Sequence, residues 1–237
     1  MKCYFITGVS SGIGAALVSE LLSSTEDILI RGCSRRVPEI KDSRYKHYAC
    51  DLTKEIDRNA LAAAFFKDIP AEATSLVLIN NAGTLGAIGS VGHIPQHTYD
   101  TLFSTNLIAP TLLCGVFIAN FQTLSVKKVI INISSGAANK DYAGWAAYCA
   151  SKAALDRFTS VVAAEQELQS FPVHVNSFAP GVIDTPMQEE IRSSTQAAFP
   201  SLNRFLDLHK NGDLVSPSVI AHKIIHIIAD LSNFESK

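Results

Sequence analysis

The chain has 237 residues, enough for one large core, and 47% hydrophobic against 18% charged residues describe a folded, well-buried protein rather than a disordered one. A formal net charge of −2, a pI near 6.4, a mean hydropathy of +0.18 and no basic run longer than Arg35-Arg36 exclude the electrostatic footprint of a nucleic-acid binder. The five cysteines, at 3, 33, 50, 114 and 149, are odd in number and show no CxxC or Cys/His ligand spacing, so neither a disulfide framework nor a metal centre is expected. The start, MKCYFITG, has no apolar h-region and no small-residue cleavage site, and the expectation is a cytoplasmic protein without membrane partners.

Short apolar runs rich in β-branched residues alternate with helical stretches. Strands are predicted at 2–7, 27–33, 45–50, 75–80, 126–133 and 171–178, and helices near 12–24, 55–67, 97–120 and 148–169. This alternation predicts an α/β protein: a doubly wound, Rossmann-type parallel sheet of six to seven strands, with helices on both faces, as one domain over 1–237. From Gln188 to Pro217 the sequence turns polar and loop-like before an apolar helix, SVIAHKIIHII. A late insertion of this kind, at about 187–212, is expected to form a lid over a ligand bound beyond the strand ends.

The first strand runs directly into TGVSSGIG, residues 7–14. Such a turn suits a dinucleotide: Gly8 for the tight bend, Gly12 for close backbone approach, Gly14 for packing, with Ser10, Ser11 and Ile13 where a helix N-terminus offers N–H groups to a pyrophosphate. Glycine-rich strand-to-helix turns also occur without ligand. The second strand ends in CSRR, residues 33–36, where an NAD site carries an acid for the ribose hydroxyl. Ser34, Arg35 and, as a further candidate, Arg36 instead offer a hydroxyl and guanidinium groups suited to the 2′-phosphate of NADP(H); the alternative is a solvated arginine loop. Asp51, followed by Leu52, stands after the third strand either as an acceptor for an adenine amino group or as the N-cap of the next helix. NNAG, residues 80–83, brings Asn81, Ala82 and Gly83 to the end of the fourth strand, where a turn lets backbone lie against a flat ligand.

Residues 145–152 read WAAYCASK and set Tyr148 four residues ahead of Lys152, on one face of a helix. A surface tyrosine over a lysine stem gives the same spacing. The chemical alternative is that the ammonium stabilises a phenolate, drawing a pKa ordinarily near about 10 toward neutrality so that the tyrosine exchanges a proton.

TGVSSGIG, Asp51-Leu52, NNAG, Asn106 in STNL, Ser135 in NISSG, YCASK and PGVIDT (180–185), in this order over residues 2 to about 190, resemble the short-chain dehydrogenase/reductase family. Ser135, rather than Ser134, stands 13 residues ahead of Tyr148, as is usual in that family. The resemblance implies that Tyr148 is the general acid/base, that Lys152 lowers its pKa and holds the nicotinamide ribose, that Ser135 positions the substrate oxygen and that Asn106 supports a water-linked proton path. It implies further that Thr185 and the backbone at Pro180, Gly181 and Ile183 clasp the nicotinamide end. The implied activity is NADPH-dependent reduction of a small-molecule carbonyl, and the competing class is an NADP-binding sensor or scaffold without catalysis. Family members usually pair through the two long helices, so a homodimer is expected. GWAAYCASKAA, APGVIDTPMQ and LHKNGDLVSPSVIAHKI are similar to sepiapterin reductases and benzil reductases. The sequence ends at LSNFESK, directly after the last helix, so the final strand and acidic tail with which sepiapterin reductases hold the pterin are expected to be missing. The substrate pocket is then expected at Tyr142, Gly144, Trp145, Met187 and Phe199, suited to an α-dicarbonyl, benzil-like or sepiapterin-like; alternatively Trp145 and Phe199 pack under the lid.

Overall fold

Six apolar stretches become strands: β1 (Lys2–Thr7), β2 (Ile28–Ser34), β3 (Tyr45–Ala49), β4 (Ser75–Asn80), β5 (Lys127–Ile133) and β6 (His174–Phe178). In the computed structural model, which describes residues 1–233, they form one parallel sheet in the order β3-β2-β1-β4-β5-β6. Residues 234–237, at the sequence end on which the expectation of a missing pterin-binding tail bears, lie outside the described residues. β1, β2, β4 and β5 are buried on both faces, which is why they read as mostly apolar runs; the edge strands β3 and β6 are half-exposed.

One face packs Tyr4, Ile6, Val77, Ile79 and Ile131 against α1 (Gly12–Ser23) and α8 (Pro217–Asn233). The other packs Phe5, Leu76, Leu78 and Ile130 against α2 (Glu55–Phe65) and α4 (Ala109–Phe121), with α5 (Ala146–Gln166) beside them. The chain winds outward from β1 to β3, returns to the middle at β4, and winds the other way to β6. The turns after β1 and β4 therefore diverge and leave a crevice at the carboxyl ends of the strands, the usual ligand position in such sheets.

The structure corrects four expected elements. The single helix at 97–120 is three pieces: α3 (His97–Phe103), a π-helical turn at Ser104–Ile108, and α4. Pro110 has no N–H to return to the Asn106 carbonyl four residues back and crowds it, so the helix widens there. By length and composition His97–Phe121 could cross a membrane; here Leu113, Cys114, Phe117 and Phe121 of this stretch are buried against the sheet. β6 begins at His174 rather than 171, because Pro172 cannot donate and the Val173 N–H goes to the Gln166 side chain at 2.9 Å. α5 spans 146–166 rather than 148–169. Finally, 188–217 is not loop-like: it holds most of α6 (Pro186–Arg192) and all of α7 (Leu202–Lys210), whose Leu202 and Phe205, three apart, bury one face.

Candidate active site

A cavity of about 870 Å³ lies at the strand ends. At one end its wall is main chain. The Thr7 hydroxyl accepts the N–H groups of Asn81 and Ala82 at 3.0 Å each, and Asn81 Nδ2 donates to the carbonyls of Thr7 (2.9 Å) and Gly8 (3.1 Å), so the turns after β1 and β4 are one unit. Gly8 has φ +75°, and a Cβ there would stand 2.8 Å from Ala82 Cα; only glycine fits. Gly14 lies behind the turn, where a Cβ would come within 2.2 Å of the Gly8 carbonyl oxygen, and it does not line the cavity, whereas Ser10, Ser11, Gly12 and Ile13 do. Ser11 precedes α1 in extended conformation without a side-chain cap, leaving the first N–H groups of the helix without a side-chain partner at the cavity wall.

Ser34, Arg35 and Arg36 also line this end; both arginines are exposed, and the Ser34 hydroxyl donates to the Arg36 carbonyl at 2.6 Å. Asp51 is not a helix cap, because α2 starts at Glu55 behind Lys54. Its carboxylate instead closes a turn, accepting from the Thr53 N–H (3.0 Å) and hydroxyl (2.8 Å). Burial pushes this carboxyl up, but the Thr53 hydrogen bonds and the nearby Arg35 hold it below the usual range. Leu52, Asn81, Ala82 and Gly83 complete the wall.

Midway along the cavity are Ser135, Tyr148 and Lys152. Ser135 begins a short 3₁₀ turn (Gly136–Asn139), its Oγ accepting the Ala137 N–H at 3.1 Å. Tyr148, in the first turn of α5, is 7% exposed, and Lys152, one turn on, is 5% exposed. Lys152 Nζ donates to the Ile133 carbonyl at the end of β5, at 2.8 Å. Burial lowers this ammonium to about 8, with Asp156 pulling the other way. Burial likewise pushes the Tyr148 phenol above its ordinary value, opposed by the Ser135 hydroxyl. The lowering by Lys152 that the family resemblance implies is not among the causes of that shift. Burial thus favours the neutral, protonated form of the phenol.

Asn106 stands apart from these three. It is 1% exposed and does not line the cavity; its Oδ1 accepts the Thr84 N–H at 2.9 Å, and its Nδ2 donates to the Thr84 carbonyl (2.9 Å) and Ser151 Oγ (3.1 Å). From within the π-helical turn it ties the segment after NNAG to α5.

The far end is built from side chains. Tyr142, Trp145 and Met187 line it, as expected. Phe199 does not: it is 0% exposed and stacks on Trp145 with ring centres 4.3 Å apart, beneath the wall rather than in it. Nor does Gly144, where a Cβ would meet the Ala198 carbonyl oxygen at 2.3 Å; it is the point where the segment before α5 touches the segment before α7. Leu85, Thr101, Lys140, Ile191, Arg204 and Phe205 also line this end, and sequence reasoning missed them. Arg204 of α7 donates to the Tyr142 hydroxyl, with its guanidinium over the Tyr142 and Phe205 rings at 6.0 and 5.6 Å. The three-residue spacing of Leu202 and Phe205 was the available signal for a helix there. Pro180, Gly181 and Ile183 run along the cavity floor, Thr185 is the N-cap residue of α6, and the Thr185 hydroxyl donates to the Ile183 carbonyl at 3.4 Å. Among the described residues no three His, Cys, Asp or Glu side chains converge where a metal ion would fit.

With this geometry in place, the comparisons with known proteins are direct. Residues 2–196 match the short chain dehydrogenase family, and the chain belongs to it: an oxidoreductase of a family that uses nicotinamide dinucleotides. It is 36% identical over 229 residues to a benzil reductase ((S)-benzoin forming) of Bacillus subtilis, covering 96% of this chain and 93% of the relative. It is 33% identical over 242 residues to the sepiapterin reductase of Meriones unguiculatus, covering 94% and 89%. Among solved structures, a short chain dehydrogenase/reductase from Saccharomyces cerevisiae superposes with a TM-score of 0.79 at 29% identity, over 92% of this chain and 86% of that one. A 4-hydroxyisoleucine dehydrogenase complexed with NADH reaches 0.81 at 25% identity, over 100% and 94%.

Proposed function

We propose that the protein is an NADPH-dependent reductase that converts one carbonyl of a bulky α-dicarbonyl to an alcohol. The observation that carries this reading is one continuous cavity: a dinucleotide-type turn at one end, a half-buried Ser135 with buried Tyr148 and Lys152 in the middle, and an aromatic wall at the other end. The donor set fits the cofactor. The N-terminus of α1 suits a pyrophosphate, the Asn81–Gly83 backbone a flat ring, and the ammonium of Lys152 a ribose. The clasp at the nicotinamide end falls to Thr185 with the backbone of Pro180, Gly181 and Ile183.

When bound, the dihydronicotinamide supplies a hydride. The chain's own part is the proton and the oxyanion. A carbonyl that receives hydride develops negative charge on oxygen, and Tyr148, kept protonated by burial, delivers a proton to it, while Ser135 supplies a second hydrogen bond. Asn106 acts from behind the wall, holding Thr84 and α5 in place. The short helices α6 and α7 serve as the lid over 187–212, latched by Arg204 on Tyr142.

NADPH is favoured over NADH by the absence of an acid at the end of β2 and by two exposed arginines there, because a guanidinium matches a phosphate in charge and geometry. One structural neighbour holds NADH, so the preference rests on this chain's residues and not on the fold. The substrate class follows from the wall: Tyr142, Trp145, Met187, Ile191 and Phe205 favour aromatic bulk. Relatives in two Bacillus species and in yeast carry the name benzil reductase. Exposed Ile108, in the π-helical turn ahead of α4, and Val161, on α5, support a homodimer, and we take it to be cytoplasmic. Loss of NADPH absorbance with benzil or 1-phenyl-1,2-propanedione tests the reading. Turnover with NADPH at a kcat/KM at least about tenfold above that with NADH is expected; equal use of both cofactors, or no turnover of any dicarbonyl, overturns it.

A further inference from the structure

The face of α8 turned away from the sheet carries two histidines at helical spacing. His222 and His226 stand four residues apart and share that face, while Ile220, Ala221, Ile224 and Ile228 of the same helix are buried in the core with α1. Both imidazoles are exposed, His222 by 62%, yet their Nε2 atoms meet at 2.9 Å. The ring centres are 4.4 Å apart and the ring planes cross at 69°. At that separation the two nitrogens cannot face each other head-on; they meet at an angle, as two ligands of one ion do.

The neighbouring helix adds a carboxylate. Glu20 of α1 sets its Oε1 3.5 Å from Nδ1 of His222, the ring nitrogen that does not meet His226. An ionised carboxylate only accepts, so it favours the proton on Nδ1 and leaves the Nε2 lone pair of His222 free for a cation. A carboxylate in this position behind a metal-bound imidazole fixes the tautomer and raises the basicity of the ligating nitrogen. Two nitrogens each about 2.0–2.1 Å from one ion stand about 3.0–3.4 Å apart in an octahedral or tetrahedral shell, so the pair has to open by only about half an ångström or less. The other two histidines at this spacing are arranged differently. His93 lies in a turn ahead of α3 with its Nδ1 3.2 Å from the Ser90 hydroxyl, and His97 begins the helix.

We propose that His222 and His226 chelate one divalent transition-metal cation of the class of Cu²⁺, Ni²⁺ and Zn²⁺, with water in the remaining positions and Glu20 holding His222 from behind. Imidazole nitrogen suits these ions, whereas Mg²⁺ and Ca²⁺ take oxygen ligands. Two protein ligands, in place of the three or four of a catalytic or structural zinc site, make this an exchangeable site that loads and empties with the free cation. Neither histidine nor Glu20 lines the cavity, so the ion takes no part in the reduction. It joins two successive turns of α8, and because only the folded helix brings the two nitrogens together, binding stabilises the fold by mass action.

Titration calorimetry of the whole chain with ZnCl₂ and NiCl₂, in a buffer that does not bind metal, tests this, with MgCl₂ as the contrasting ion. One zinc or nickel ion per chain is expected to bind, to be removed by EDTA, and to raise the thermal unfolding midpoint; MgCl₂ is expected to do none of these. His222→Ala and His226→Ala, at exposed positions and checked by an unchanged circular dichroism spectrum, are each expected to weaken zinc binding by at least about tenfold, and Glu20→Gln by about tenfold, the cost of losing the partner behind a metal-bound imidazole. His97→Ala is expected to leave binding as it is. Zinc binding that is absent from the native chain, or that persists at native strength in both His222→Ala and His226→Ala, overturns the proposal; in the second case other histidines or cysteine thiols hold the ion.

Discussion

The two ends of the cavity are made of different material. At the dinucleotide end the wall is backbone: Thr7 and Asn81 lace two strand-end turns together, and the groups on offer are main-chain N–H donors held by glycine geometry. At the substrate end it is side chain: Tyr142, Trp145, Phe199 and Phe205 pack ring on ring, and α6 and α7 bring half the wall from some 40 to 60 residues further along the sequence. Backbone geometry set by a local turn tolerates little change. Packed aromatics keep the apolar character of a pocket while its shape alters, so in the function proposed above one end is suited to fix the cofactor and the other to set the range of substrates.

Lys152→Met is the hardest blow to the point where the two ends meet. It removes the ammonium at the middle of the cavity, and kcat/KM is expected to fall by at least about 1000-fold, with weakened NADPH binding by calorimetry. The same residue sets a pH limit. Its folded-state value, lowered by burial from 10.5 to about 8, means that the ammonium is lost as pH rises through about 8, and NADPH affinity should drop there. The stability effect has the opposite sense: the buried charge costs stability below about pH 8, and that cost is relieved between about 8 and 10.5, where the unfolded chain binds the proton that the folded chain has shed.

Phe199→Ala separates the ends. Removing a side chain that is 0% exposed should cost about 3–5 kcal/mol of stability, read from the denaturation midpoint, and loosen the substrate end. NADPH affinity should change little; a parallel loss would show that the ends are not independent. Arg35→Ala works on the other end: the preference for NADPH over NADH should shrink by about tenfold to a hundredfold, with turnover in saturating NADPH largely retained. The smallest effect is expected from Arg204→Ala, which frees α7 from the Tyr142 hydroxyl and should raise KM for the diketone by about threefold through a looser lid, with KM for NADPH nearly constant.

The same contrast explains what the sequence revealed. TGVSSGIG, NNAG and the Tyr148–Lys152 spacing are short-range patterns in which local geometry dictates residue type, and the turns they describe are found at the strand ends. Gly14 was legible too, as the packing glycine behind the turn. The substrate end was legible only in part. Gly144 and Phe199 belong to the second layer because contacts with Ala198 and Trp145, distant in sequence, decide their places. The region 188–217 looked like loop because its helices are short and its apolar positions sparse, and burial against Trp145 and Leu85 supplies what local propensity does not. Asp51 as a helix cap failed for a local reason: the Thr53 N–H and hydroxyl claimed its carboxylate first. The π-helical turn follows from Pro110, and Asn106 is withdrawn behind the wall by its bonds to Thr84, which no sequence spacing announces.

The central claim is that one buried phenol hands a proton to the carbonyl oxygen, and Tyr148→Phe addresses it most directly, because the change deletes one hydroxyl and almost no volume. The measurement is kcat with 1-phenyl-1,2-propanedione and saturating NADPH, paired with the NADPH dissociation constant of the same variant. A fall in kcat of about 100-fold or more, with NADPH affinity within about twofold of the native value, is the expected result. A variant that keeps more than about a tenth of native kcat would contradict the account, since general acid catalysis would then owe nothing to that hydroxyl.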